Sequence, residues 1–339
     1  MESTTPLHAA SAPACRATEA PPGASIVNRH FESDDVDAHA QFIDGWALQL
    51  DQMSPGPFRG TLHEIRVGDM QLLRERVNRS LLKRGATAAY VTSFSVPLQT
   101  DGPGYCGGGA LQERVLLVSN GTSLPELRTP DRHDIAVLTL PAEALASLAA
   151  LDGDDDRERS ADSVCLVTLD GQRYDALKAF LVASFDAADA AADAFAYPQA
   201  CKTLHDAVLL ELERIAETGR PPVRLDGTAR RRIVSRVREL VAAQPDAPLT
   251  VLDVCRAVGT SRRKLQYCFE EALGTNPAYY LRVLRLNAAR RELRRQSPAT
   301  GSVGDVAFRC GFWHLSRFSL HYRQLFGELP SDTLKRAPQ

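Results

Sequence analysis

The sequence predicts an α+β protein: a β-rich, sensor-like N-terminal domain, then an all-α domain with two helix-turn-helix units joined by a linker helix. Three observations carry this expectation. Strand-like runs separated by turn signals fill residues 58–140. From residue 250 onward one helix–turn–helix pattern occurs twice, offset first by 52 and then by 53 positions. Charge is also divided: residues 221–339 hold 21 Lys and Arg against 10 Asp and Glu, whereas residues 1–220 hold 19 against 32. The overall charge of −2 conceals this division. An acidic front and a basic back imply a nucleic-acid-binding tail, with a solvated basic surface as the competing reading. The predicted divisions are a disordered leader (1–29), a β-rich sensor or dimerisation domain with C-terminal helices (30–218), a linker (219–230) and the double helix-turn-helix domain (231–336).

The totals suit such a chain. At 339 residues there is room for two or three domains, each with its own core, and 44% apolar and 24% charged residues are ordinary for a globular protein. The seven cysteines, at 15, 106, 165, 201, 255, 268 and 310, form no CxxC pair. That argues against a zinc or disulfide framework and fits a reducing cytosol. No apolar run reaches 18 residues, so no membrane span is expected. The first 25 residues lack a basic region followed by an apolar stretch and read as a disordered leader, not a signal peptide.

Residues 30–53 read as a short amphipathic helix leading into extended structure. Strands are expected at Phe58–Arg66, Met70–Val77, Tyr90–Pro97, Val115–Val118 and Ile135–Leu140. Turn signals separate them at Val67-Gly68-Asp69, at 101–109 and at Asn120-Gly121, the last a hairpin turn because both residues tolerate positive φ. This spacing suggests a sandwich or barrel over roughly 55–140. Beyond it, DGDDDRER (152–159) reads as a solvated loop and AADAAADAF (187–195) as helix. Lys202–Thr218 carries Leu204, Val208, Leu212 and Ile215 at helical spacing; the stripe either packs on its own domain or serves as a dimerisation helix. Gly219-Arg220-Pro221-Pro222 breaks the chain.

In the basic part, Thr250-Val-Leu-Asp253 returns as Ser302-Val-Gly-Asp305, each a hydroxyl followed three places on by a carboxylate, the capping-box pattern that starts a helix. Val254, Cys255, Val258 and Gly259 return as Val306, Ala307, Cys310 and Gly311. Leu265 and Phe269 return as Phe318 and Tyr322, then Gly274, Pro277 and Leu281 as Gly327, Pro330 and Leu334. Each unit is therefore a short helix, a glycine turn and a second helix, the pattern whose second helix can enter a major groove. Asn276-Pro277 caps a longer helix between the units. One of its faces, Tyr279, Val283, Leu286, Ala289 and Leu293, can bind both units, and the other carries Arg282, Arg285, Arg290, Arg291, Arg294 and Arg295.

Residues 231–336 resemble the DNA-binding domain of AraC/XylS-family transcription regulators. Within that family, SRRKLQ (261–266), RLNAARREL (285–293) and GFWHLSRFS (311–319) look most like the ethanolamine-operon regulator branch. The resemblance implies promoter DNA and RNA polymerase as partners, and an N-terminal domain that senses a small-molecule effector or mediates dimerisation into a homodimer. Carried over position by position, the base-reading residues are Arg263, Gln266 and Tyr267 in the first unit and Ser316, Arg317 and Ser319 in the second. Leu320 stands where the family often has arginine, which removes one bidentate guanine contact. Arg262, Lys264, Arg282, Arg285 and Arg323 are assigned to phosphates, giving affinity and salt dependence without specificity.

Other candidates are weaker. His314 and His321 lie seven apart and Cys310 completes no ligand set, so no metal and no cofactor is expected. GPGYCGGGA (102–110) lacks the Lys-Ser/Thr of a phosphate-binding loop, and no GxSxG or HExxH spacing points to an enzyme. Trp46, His63, Arg74 and Tyr90 are candidate effector-pocket residues. The expected function is a cytoplasmic, effector-responsive activator. A non-specific architectural DNA protein and an enzymatic domain tethered to DNA are the alternatives.

Overall fold

The computed structural model describes residues 27–87, 91–120, 124–144, 163–190, 197–217, 223–224, 229–244, 248–297 and 301–336. The N-terminal part contains β1 (Val27–Ser33), α1 (Val36–Gln41), β2 (Trp46–Gln52), β3 (Gly60–Val67), β4 (Met70–Val77), β5 (Leu81–Thr87) and β6 (Val91–Thr100). It continues with β7 (Tyr105–Cys106), β8 (Gly109–Ala110), β9 (Val115–Asn120), β10 (Leu124–Arg128), β11 (His133–Pro141), β12 (Ser163–Thr168), α2 (Gly171–Ala190), α3 (Pro198–Ala216) and β13 (Val223–Arg224). Eight strands form one sheet in the order β1-β3-β4-β11-β6-β9-β12-β13, and five form a second in the order β2-β5-β10-β7-β8.

Alternation of side chains gives the larger sheet two faces with different partners. One face, with Ile65, Leu72, Phe94, Val96, Leu116 and Leu138, packs under α2 and α3 through Tyr174, Leu181, Phe185, Val208 and Leu212. The opposite face meets the smaller sheet. There Leu62 and Leu73 of the first sheet cluster with Trp46 and Leu48 of the second, and Val77 with Leu50 and Leu81. The N-terminal part is thus a β-sandwich covered by two helices. The apolar stripe of α3 (Cys201, Val208, Leu212, Ile215) is buried on this sheet, so the intramolecular use of that helix is the one the structure shows.

The tight turn at Gly68-Asp69 closes the β3–β4 hairpin, with Val67 opposite Met70 and Gly68 at φ +59. Three expectations need correction. Residues 30–33 continue β1 beside β3, and the helix begins only at Val36, where Asp35 accepts a hydrogen bond from the Ala38 N–H. Asn120 does not open a tight hairpin, because β9 pairs with β6 and β12 whereas β10 pairs with β5 and β7 in the other sheet. The predicted Ala-rich helix at 187–195 starts much earlier, as α2 from Gly171. The acidic loop, the 219–222 break and Tyr90 lie outside the described residues.

The C-terminal part is helical: α4 (Ala229–Ala243), α5 (Val251–Val258), α6 (Arg262–Leu273), α7 (Pro277–Arg295), α8 (Val303–Arg309), α9 (Leu315–Phe326) and α10 (Pro330–Lys335). Thr250 and Asp253 close a reciprocal capping box at α5, and Ser302 accepts from the Asp305 N–H at α8. Gly259 ends α5 at φ +65 and Gly311 follows α8 at φ +76, left-handed backbone that glycine adopts without cost. The equivalent residues Val254 and Val306, Leu265 and Phe318, and Phe269 and Tyr322 are all buried in one core with the face of α7. Met53 and Leu82 from the sandwich belong to this same core.

Candidate nucleic-acid interface

The second helices of the two units are α6 and α9. Ser261 caps α6 by accepting from the Lys264 N–H, and the burial of Leu265, Cys268, Phe269 and Ala272 turns the opposite face outward. On that outer face Arg262, Arg263, Lys264 and Tyr267 are exposed, Tyr267 by 52%. The Arg263 guanidinium lies 5.6 Å from the centre of the Tyr267 ring and donates to its hydroxyl over 3.2 Å. Gln266 is half-buried and donates to Glu270 over 2.6 Å. One of its two amide N–H donors is thereby turned along the helix toward Glu270.

On α9, Ser316, Arg317, Leu320 and Arg323 are exposed and Ser319 is half-buried. Leu320 is 55% exposed, so this apolar residue belongs to the outer surface and not to the core. Arg282 on α7 is close enough to α9 that, after burial, it and Arg317 lower the pKa of His321. Arg282 and Arg317 form one cationic corner around His321. Trp313, 72% exposed, stands at the start of α9 with its ring 6.2 Å from that of Phe308. Both rings fall outside the core periodicity, which is the signal the sequence offers for them.

Arg285 is placed differently from the other cations. Its guanidinium lies 5.1 Å from the Phe312 ring and donates toward the Gly311 carbonyl, and burial followed by Arg282 lowers its pKa. It braces the second unit's turn. Arg290, Arg291 and Arg294 also face protein. Arg290 is buried, 3.3 Å from Asp35 and 3.2 Å from Glu328. Arg291 pairs with Asp37 at 2.7 Å and Asp51 at 2.6 Å, and Arg294 pairs with Asp35. The inner row of α7 therefore docks on the sandwich, a use that its sequence alone does not reveal.

That docking is extensive. Asn287 accepts from the Gln52 N–H at 3.0 Å and donates to the Gln52 carbonyl at 3.1 Å. The Tyr279 hydroxyl donates to the Met53 carbonyl at 2.5 Å, and Tyr280 bonds Glu126 at 3.2 Å. Burial raises the pKa of Tyr280 and of Glu126, favouring their neutral forms. Asp51, fully buried, is shared between Arg84 and Arg291.

The effector candidates separate. Trp46 faces the space between the sheets, beside Leu73, Glu75, Lys83 and Ile135. His63 and Arg74 lie on the other face of the large sheet, His63 4.9 Å and Arg74 6.0 Å from the Phe185 ring. The structure does not bring them into one pocket with Trp46. Between the sheets, Glu75 accepts from His39 and from His133, each at 3.1 Å, and pairs with Lys83. Burial would raise its pKa, but Lys83 and the two histidines outweigh burial and hold it well below the usual carboxylate value. A cleft of about 600 Å³ opens next to this group, lined by Ser95, Thr100, Arg114, His133, Tyr174 and Lys178. That volume suits a small ligand.

Two helix-turn-helix units with cationic outer faces, fixed by one shared helix, define a bipartite double-helix-turn-helix domain. Residues 254–336 match the family described as Helix-turn-helix domain. The chain is 42% identical over 106 residues to the "Probable thc operon regulatory protein" of Rhodococcus erythropolis, covering 31% of this chain and 32% of that protein. It is 43% identical over 76 residues to the "XylDLEGF operon transcriptional activator" of Pseudomonas putida, covering 22% and 24%. It also resembles a solved AraC-type DNA-binding domain protein of Chromobacterium violaceum, with 32% identity, 32% of this chain and 94% of that one covered, and a TM-score of 0.29. The matched segment spans no more than about a third of the two curated regulators. Residues 254–336 thus form a helix-turn-helix domain that is similar in sequence to part of these regulators. Among the described residues, no helix is long and apolar enough to cross a membrane.

Proposed function

We propose that the chain is a cytoplasmic, sequence-specific DNA-binding transcription regulator, most simply an activator, whose N-terminal sandwich responds to a small-molecule effector. The observation that carries this reading is the pairing of α6 and α9 on one helix, each with cations on its outer face. Arg263, Tyr267, Ser316 and Arg317 would reach base edges, with Gln266 and Ser319 beside them. Arg262, Lys264, Arg282 and Arg323 would hold phosphates. Arg285 supports the second unit from within. The cleft at His133 and Lys178 is the place for the effector, and promoter DNA, RNA polymerase and a second copy of the chain are the expected partners.

Competition decides between this function and non-specific packaging. Sites mapped across the genome are expected to outcompete random DNA at physiological salt by roughly a thousandfold or more. Equal displacement by random DNA overturns the proposal.

A further inference from the structure

We propose that His30, His63, Asp189 and the amide oxygen of Asn28 form a binding site for a divalent transition metal, zinc fitting best, at the edge of the eight-stranded sheet. This site is separate from the nucleic-acid surface and does not depend on how that surface is read.

His30 on β1 and His63 on β3 are direct cross-strand partners. Their rings stack with centroids 3.9 Å apart, and both turn Nε2 toward one carboxylate at the end of α2. Asp189 Oδ1 lies 2.8 Å from His30 Nε2 and 3.4 Å from His63 Nε2. The ligand atoms of these three residues all fall within 4.8 Å of one another. Asn28 Oδ1 stands 2.8 Å from His63 Nε2, and its orientation is fixed because Nδ2 donates to the Ala188 carbonyl at 3.0 Å. Tetrahedral zinc with bonds of about 2.0–2.1 Å places its donors about 3.3 Å apart, so small side-chain shifts complete the set.

The donors also select the metal. Two imidazoles with a carboxylate and an amide oxygen suit zinc, cobalt, nickel or copper over magnesium or calcium. Arg74 and Arg76 stand nearby, and Asp134 pairs with both. The ligands come from three elements far apart in sequence, so no local spacing announces them. A bound metal would staple the first strand and the end of α2 onto the sheet.

The test uses the untagged full chain. Zinc affinity is measured against a chromophoric chelator, and cobalt substitution is followed by its visible d–d bands. The wild type is expected to bind one metal that His30→Ala and Asp189→Asn lose or hold roughly tenfold or more weaker, with unchanged far-UV circular dichroism. Both variants alter exposed side chains, so they keep the fold even if a His63→Gln variant does not. Zinc should raise the melting temperature of the wild type and not of these two variants. Metal bound equally by wild type and both variants, or no metal bound by the wild type, overturns the proposal.

Discussion

Arg263 concentrates what a single side chain can decide here. It is exposed on the outer face of α6, steadied by Tyr267 four residues on, and it retains donors pointing outward. Arg263→Ala should cost about 1–3 kcal/mol on the preferred site and relax discrimination at one base position, measured by mobility shift on a library of single-base variants. Uniform weakening on every sequence would instead assign Arg263 to a phosphate. Leu320, exposed where arginine is common in the resembled family, offers only an apolar contact, so on the proposed function the second unit would discriminate through Arg317 and the serines around it. At the same scale, Arg285, expected from the sequence to contact phosphate, is held against the second unit. Its sequence neighbourhood is that of a solvent-facing cation, yet it lies on Phe312.

At the scale of the element, the turn after α6 links that helix to the sandwich. Gly274 ends α6 at φ +59, and a Cβ there would run into the Tyr105 ring at the β7–β8 hairpin. Gly274→Ala should destabilise the chain by about 1–2 kcal/mol from backbone strain alone, with a further loss that Tyr105→Ala relieves. Chemical denaturation of both single variants and the double variant separates the two parts; strict additivity would mean that Tyr105 is not in the way. The helices were legible in the sequence because their determinants are local: Thr250 and Asp253 cap α5, Asn276 and Pro277 start α7, and the buried positions recur at helical spacing. β5 was not legible. LLKRGAT carries cations at two adjacent, opposite-facing positions, Lys83 paired with Glu75 between the sheets and Arg84 with Asp51 on the other face, and local pattern cannot display partners that distant. β1 was hidden in the same way, because its pairing with β3 decides its conformation. The metal ligands His30, His63 and Asp189 share that invisibility.

For the whole molecule, the sandwich and the helical domain are one packed unit. Asp51, buried between Arg84 and Arg291, sits at the junction, with Asp35 and Asp37 holding the rest of the inner arginine row. Removing one member of such a buried set leaves uncompensated charge and costs about 3–5 kcal/mol. Asp51→Ala should therefore split a single calorimetric unfolding transition into two, the helical domain and the sandwich melting separately. A single transition at an unchanged midpoint would show that the junction carries no such energy.

Asn287 has a consequence for assembly. Its side-chain amide answers both the N–H and the carbonyl of Gln52, as a neighbouring strand's backbone would. Because strand side chains alternate, sliding β2 by one position along β5 would turn Gln52 and Asp51 to the wrong faces and withdraw both groups from Asn287. Helix α7 thus seats only on a sheet that has paired in the right frame. The linker helix proofreads the strand.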